Sequence, residues 1–148
     1  VAIATSIIPL LFVVSAVVQT LSSYLFGILI DRFGVKRVLA FSYACGAAAQ
    51  GFLILQSPIF TWIAYVFLGL FTVASLNANR AFIAQSAFNK GSVYGVFYAG
   101  VALFGALGAY IGGLIWEHLN MQMALIYSLT GTLVLTVLFL LMKGRYEN

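Results

Sequence analysis

Gly27-Ile28-Leu29-Ile30-Asp31-Arg32-Phe33-Gly34-Val35-Lys36-Arg37 is the stretch from which the fold is read. Four charges fall in the seven positions from Asp31 to Arg37, and no other charge occurs before Arg80. Thirty uncharged residues precede them and forty-two follow. A charged turn between two long apolar runs is the pattern of a tight loop at a membrane surface, where the chain leaves hydrocarbon and re-enters it.

The composition agrees. Of 148 residues, 64% are hydrophobic and 7% charged, against roughly 45–50% and about 25% in soluble domains. So few charges cannot cover a water-facing surface, and lipid is the solvent this chain requires. A soluble helical core is excluded because its helices would have no polar face. A β-barrel is excluded because its strands alternate polar and apolar residues over about ten positions, and these runs do not. The net charge of +4 comes from seven scattered Lys and Arg with no basic face, so no nucleic-acid partner is implied. Cys45, the single cysteine, allows no internal disulfide and reads as a small buried hydrophobe rather than a reactive thiol. The chain opens at Val1 without a signal-peptide pattern and reads as cut from something longer.

Five spans follow from the apolar runs, since a helix needs about 20 apolar residues to cross roughly 30 Å of hydrocarbon. The first runs from about Ile7 to Ile30, with Pro9 near its start, where a missing N–H costs least. The uncharged run 38–79 is too long for one crossing, and Gln56-Ser57-Pro58 breaks it. This yields spans at Val38–Leu55 and Ile59–Asn79. The fourth covers Ser92–Trp116, Glu117-His118-Leu119-Asn120 forms a polar loop, the fifth covers Met121–Met142, and a polar tail follows. The expected fold is an all-α membrane protein with five transmembrane helices.

The basic residues test this count. Arg32, Lys36 and Arg37 lie in the first loop, Arg80 and Lys90 in the third, and Lys143 and Arg145 in the tail; the second and fourth loops carry none. All seven therefore fall on one side. Because Lys and Arg mark the cytoplasmic side, the expected topology is N-terminus outside and C-terminus cytoplasmic, in a cell (inner) membrane crossed five times.

Gly27-x3-Asp31-Arg32-x-Gly34-x-Lys36-Arg37 resembles the signature loop of the major facilitator superfamily, Gly-x3-Asp-Arg/Lys-x-Gly-Arg-Arg/Lys, with Val35 as the one departure. The plainer alternative is an ordinary positive-inside loop with turn glycines. The loop's chemistry is readable from its residues. Gly34 permits the tight turn. Asp31 is the only acid on its side before Glu147 and gains from a cation, and Arg80, ending the third span on the same side, is the candidate partner. The resemblance implies that this loop locks the cytoplasmic ends of two transporter halves together in the outward-open state; the contact expected from the residues themselves is a network of Asp31 with Arg80 and Arg32 or Arg37.

Other residues are weaker signals. The fourth span carries seven glycines from Gly91 to Gly113, and pairs such as Gly108 and Gly112 let helix backbones approach closely. Gly105, Gly108, Gly112 and Gly113 are accordingly read as packing positions. Gly108-Ala109-Tyr110-Ile111-Gly112-Gly113 resembles the family's Gly-Pro-x-x-Gly-Gly signature with Ala109 in place of proline. Ser15, Gln19 and Ser22 share a helical face, and Tyr94 and Tyr98 lie one turn apart. The resemblance favours Gln19, Asn77 and Tyr98 as groups lining a central cavity; the plainer reading of each is a helix-to-helix hydrogen bond. No acid lies within a span, so a proton-coupling carboxylate has no place on this chain. Glu117 and His118 read as solvated loop residues. There is no phosphate-binding loop, nucleophile constellation or pair of acids, and so no enzyme or cofactor is implied.

The superfamily builds each half from six helices, with the signature loop after the second. Here it follows the first span, so the resemblance implies spans two to six of one half, the second half on the evidence of the short tail. The expected function is transport of a small-molecule substrate by alternating access, with membrane lipid and the missing half of the same transporter as partners. The alternative is a small membrane scaffold or assembly subunit.

Overall fold

The computed structural model describes residues 5–86 and 88–146, with the side chains of Ser86 and of residues 142–146 outside that description. A turn of 3-10 helix at Thr5–Ile7 leads into five helices: α1 Ile8–Phe33, α2 Val35–Ile54, α3 Pro58–Ser86, α4 Lys90–His118 and α5 Met121–Tyr146. All five are long and apolar enough to cross a membrane. The expected all-α membrane fold is therefore observed. Helix boundaries differ from the expected spans mainly at the ends, because hydropathy marks hydrocarbon and not hydrogen bonding. Asp31, Arg32, Lys36, Arg37, Arg80, Glu117 and His118 all lie inside helices. The helix α5 also runs through Lys143 and Arg145, which were expected in a polar tail; their side chains lie outside the described residues.

Each reversal has a local cause. Pro9 sits in the first turn of α1, where its missing N–H costs no helical bond. Gly34 is the whole connection between α1 and α2: its N–H donates to Ile30 O (2.9 Å), and its carbonyl accepts from Val38 N–H (3.4 Å). Its φ of 85° and ψ of 158° lie in a region open essentially to glycine alone. Between α2 and α3, Gln56 takes a positive φ of 52°. Pro58 then starts α3, and Ser57 O accepts from both the N–H and the hydroxyl of Thr61 (2.9 Å each). The turn before α5 is closed by Asn120 Oδ1, which accepts from Met123 N–H at 2.8 Å, a side-chain cap for an otherwise orphaned donor.

The helices α1, α2 and α3 form a tight trio. One packed cluster sits at their hinge end, the end marked by Gly34: Phe26, Ile30, Val35, Val38, Val73, Ala74 and Ala78 are buried together. Small residues on α3 set the spacing. A Cβ added at Gly69 would lie 2.8 Å from Ser15 O of α1, so these two backbones are in direct contact. A Cβ added at Gly46 of α2 would lie 3.0 Å from the Phe71 ring of α3. Aromatic pairs extend the seams: Phe12 with Tyr65 (5.5 Å between centroids), and Phe52 stacked between Phe60 and Phe67 (5.7 Å to each).

The helices α4 and α5 form a looser pair. They pack on each other, α5 packs along α2, and α4 meets α3 only briefly. The seam between α2 and α5 holds Tyr43 against Phe139 (5.8 Å) and a hydrogen bond from Thr132 Oγ1 to Gln50 Oε1 (3.1 Å). No residue of α4 is buried.

Candidate functional site

The hinge brings the signature residues to one point. Asp31 and Arg32 lie in the last turn of α1, and Lys36 and Arg37 in the first turn of α2, all exposed. Arg32 suits the negative end of α1. The other three charges oppose their helix ends: Asp31 stands at a C-terminus, Lys36 and Arg37 at an N-terminus. Each mismatch costs on the order of 0.3–1 kcal/mol. Local helix stability therefore does not explain why these residue types occur here.

The expected Asp31–Arg80 pair does not form. Among the described residues, Asp31 makes no ion pair with a basic side chain. The helix register supplies the reason. Gly69 lies against Ser15, and Asn77 Nδ2 donates to Ser23 O (3.4 Å), the same 54-residue offset along two parallel helices. Arg80 is thus level with Phe26, five residues short of Asp31 and about 7.5 Å from it along the axis. Helix α3 does not end at Asn79 but continues to Ser86, which leaves Arg80 within the span.

Arg80 has other partners. Its Nε donates to Tyr98 Oη of α4 at 2.9 Å, and Tyr94 Oη donates to the Arg80 carbonyl at 2.8 Å. The two tyrosine rings stack at 6.3 Å between centroids, 18° from parallel, and Phe97 meets Tyr98 edge-on at 5.3 Å. Of the three residues expected to line a cavity, Tyr98 alone meets a charged group. Asn77 serves the seam between α1 and α3, and Gln19 Nε2 donates within its own helix to Ser15 Oγ (3.3 Å). Helices α1 and α4 do not touch, so Gln19 and Tyr98 are not brought together.

The glycine reading of α4 is also corrected. A Cβ added at Gly105, Gly108, Gly112 or Gly113 would meet nothing within 4 Å, so none of them is a close-packing position within this chain. The glycines that do allow close approach are Gly46 and Gly69, isolated in sequence and missed for that reason. Gln50, which holds α2 to α5, was missed because it stands alone in the apolar second half of that helix. The trace of it legible in sequence is that an amide in lipid requires a partner. Beside the hinge, an apolar groove of about 300 Å³ is lined by Phe26, Leu29, Phe33, Val38 and Phe41, with Arg37 at its edge.

No curated protein and no solved structure gives a significant match to this chain. The family model described as Major Facilitator Superfamily, by contrast, matches residues 2–147. Five apolar helices and a match over nearly the whole length converge: this multi-pass membrane protein belongs to the major facilitator superfamily.

Proposed function

We propose that the chain is part of a secondary transporter that moves a small solute by alternating access, and that the α1–α2 hinge is its gating element. Members of this superfamily are transporters rather than enzymes, which supports transport over the scaffold alternative. The observation that carries the gating role is the one-residue reversal at Gly34 within the signature motif. A connection of one residue has no slack, so α1 and α2 move as one body, and a force on the hinge charges reaches the buried core beneath them. Asp31 and the three cations beside it are exposed, and Asp31, Lys36 and Arg37 are set against their own helix ends, which suits charges whose partners lie on another body. That body is the other half of the transporter, absent from this chain, and the open glycine face of α4 is a second surface for it. The cations at the hinge and Lys90 support a cytoplasmic location for this end of the bundle, with the start of α1 on the outer side.

Flux of labelled solutes into proteoliposomes, compared between wild type and Asp31→Asn, tests the gating role. A coupling contact between two bodies is worth typically 1–3 kcal/mol, so we expect transport to change by roughly tenfold while the protein remains folded. Unchanged flux removes the hinge from the mechanism. Cysteines introduced at positions 36, 57, 90 and 118 test the orientation. Impermeant reagent applied from outside should label 57 and 118 and leave 36 and 90 untouched.

A further inference from the structure

We propose that Arg80, Tyr94 and Tyr98 form a subsite for the oxyanion head of an organic anion, a carboxylate or a phosphate monoester. The proposal rests on the transporter reading and names the class of solute that such a path would accept.

The first argument is direction. An arginine inside a span commonly snorkels toward the nearer interface. Side chains of a helix lean toward its N-terminus, and the N-terminus of α3 is Pro58, at the end opposite the hinge. Arg80 follows that lean. Its carbonyl takes the hydroxyl of Tyr94, while its Nε reaches Tyr98, one turn farther from the hinge end along α4. The guanidinium of Arg80, an exposed residue of this chain, is thus held away from the hinge end of the bundle. Basic residues that lie within a membrane span and do not turn to the nearer interface mark substrate or ion paths.

The second argument is unused capacity. A guanidinium has five N–H donors. Nε is taken by Tyr98, and among the described residues neither Nη group has a protein acceptor. Two parallel donors on a fixed plane match the two oxygens of a carboxylate or phosphate. Tyr98 orients that plane, and its own hydroxyl proton is left free to donate, because the oxygen accepts from Nε. The stacked rings of Tyr94 and Tyr98 give the body of the anion an aromatic wall. No acid lies on the described stretches of α3 or α4 except Glu117, at the far end of α4, so nothing on these helices competes for the cation.

Thermal unfolding of the purified full-length protein in detergent tests this, with benzoate and phenyl phosphate as probes and benzyl alcohol as the neutral control. We expect one or both anions to raise the Tm of wild type in a saturable manner, and the alcohol to leave it unchanged. Arg80→Gln should weaken the fitted affinity at least about tenfold, as loss of a charge-assisted bidentate pair requires. Tyr98→Phe, which leaves the charge but frees the plane, should weaken it several-fold, whereas Lys90→Gln should leave it unchanged. Benzoate acting alone identifies a carboxylate site, and phenyl phosphate acting alone a phosphate site. Equal stabilisation by benzyl alcohol, or equal anion response in wild type and both Arg80→Gln and Tyr98→Phe, overturns the subsite. Should Arg80→Gln fail to fold, Tyr98→Phe against Lys90→Gln decides the matter. Solute flux that persists in folded Arg80→Gln would reject the subsite and keep the transporter. Arg80-dependent anion binding without any flux would do the reverse.

Discussion

The α1–α2–α3 trio and the α4–α5 pair are made of similar residues and packed to different ends. Both are apolar, and both contain small residues at helical spacing. In the trio, Gly46, Gly69, Ala74 and Ala78 lie against neighbouring helices, and the backbones of α1 and α3 touch. In α4, seven glycines meet no neighbour and no residue is buried. In lipid there is little hydrophobic force between helices, so association depends on close packing and a few hydrogen bonds. The density of small residues is therefore a poor guide to where a chain packs on itself. What decides is whether a complementary surface faces them, and α4 has none within this chain.

Leucine placed in each region tests this contrast most severely. At Gly69 even a Cβ overlaps the backbone of Ser15, so Gly69→Leu should cost about 3 kcal/mol or more of stability in detergent. At Gly108 the same change enters open space and should alter stability by no more than about 0.5 kcal/mol. Denaturant unfolding of the two variants would measure the difference; equal losses would show that α4 is packed after all.

A smaller effect is expected at the hinge. Gly34→Ala meets no atom within 4 Å, so any cost is backbone strain alone, about 1–3 kcal/mol for a conformation open only to glycine. Gly27→Ala, inside α1 and also in open space, should be neutral or stabilise by roughly 0.5–1 kcal/mol. A shift in the same direction for both would mean that the turn does not require its positive φ. The weakest effect should come from the link between the two regions. Thr132→Val removes the hydrogen bond to Gln50, and such bonds in membranes average about 0.6 kcal/mol. A loss several times larger would make α5 an integral part of the trio.

The hinge was legible because its signals are local. A charge pair, a glycine and a second charge pair say where the chain turns, whichever helices pack later. Arg80 was misread because its identity is local and its depth is not. In sequence it follows the apolar run and looks like the end of a span, on the same side as the loop that holds a lone acid. Its depth depends on the register of α3 against α1, which the contact of Gly69 with Ser15 and the bond from Asn77 to Ser23 set. Gln19 and Asn77 were singled out for polarity in an apolar setting, and polarity alone does not distinguish a cavity wall from a helix seam.

Composition and charge spacing by themselves determined that this chain lives in a bilayer, crosses it five times and turns at Gly34. Those properties follow from single residues exchanging water for hydrocarbon. Which glycines touch, which amides bridge helices, and that Arg80 faces two tyrosines rather than Asp31 were decided only when the helices packed. Those facts depend on axial offsets and rotations between helices, and no stretch of sequence encodes an offset until a second helix is set against it.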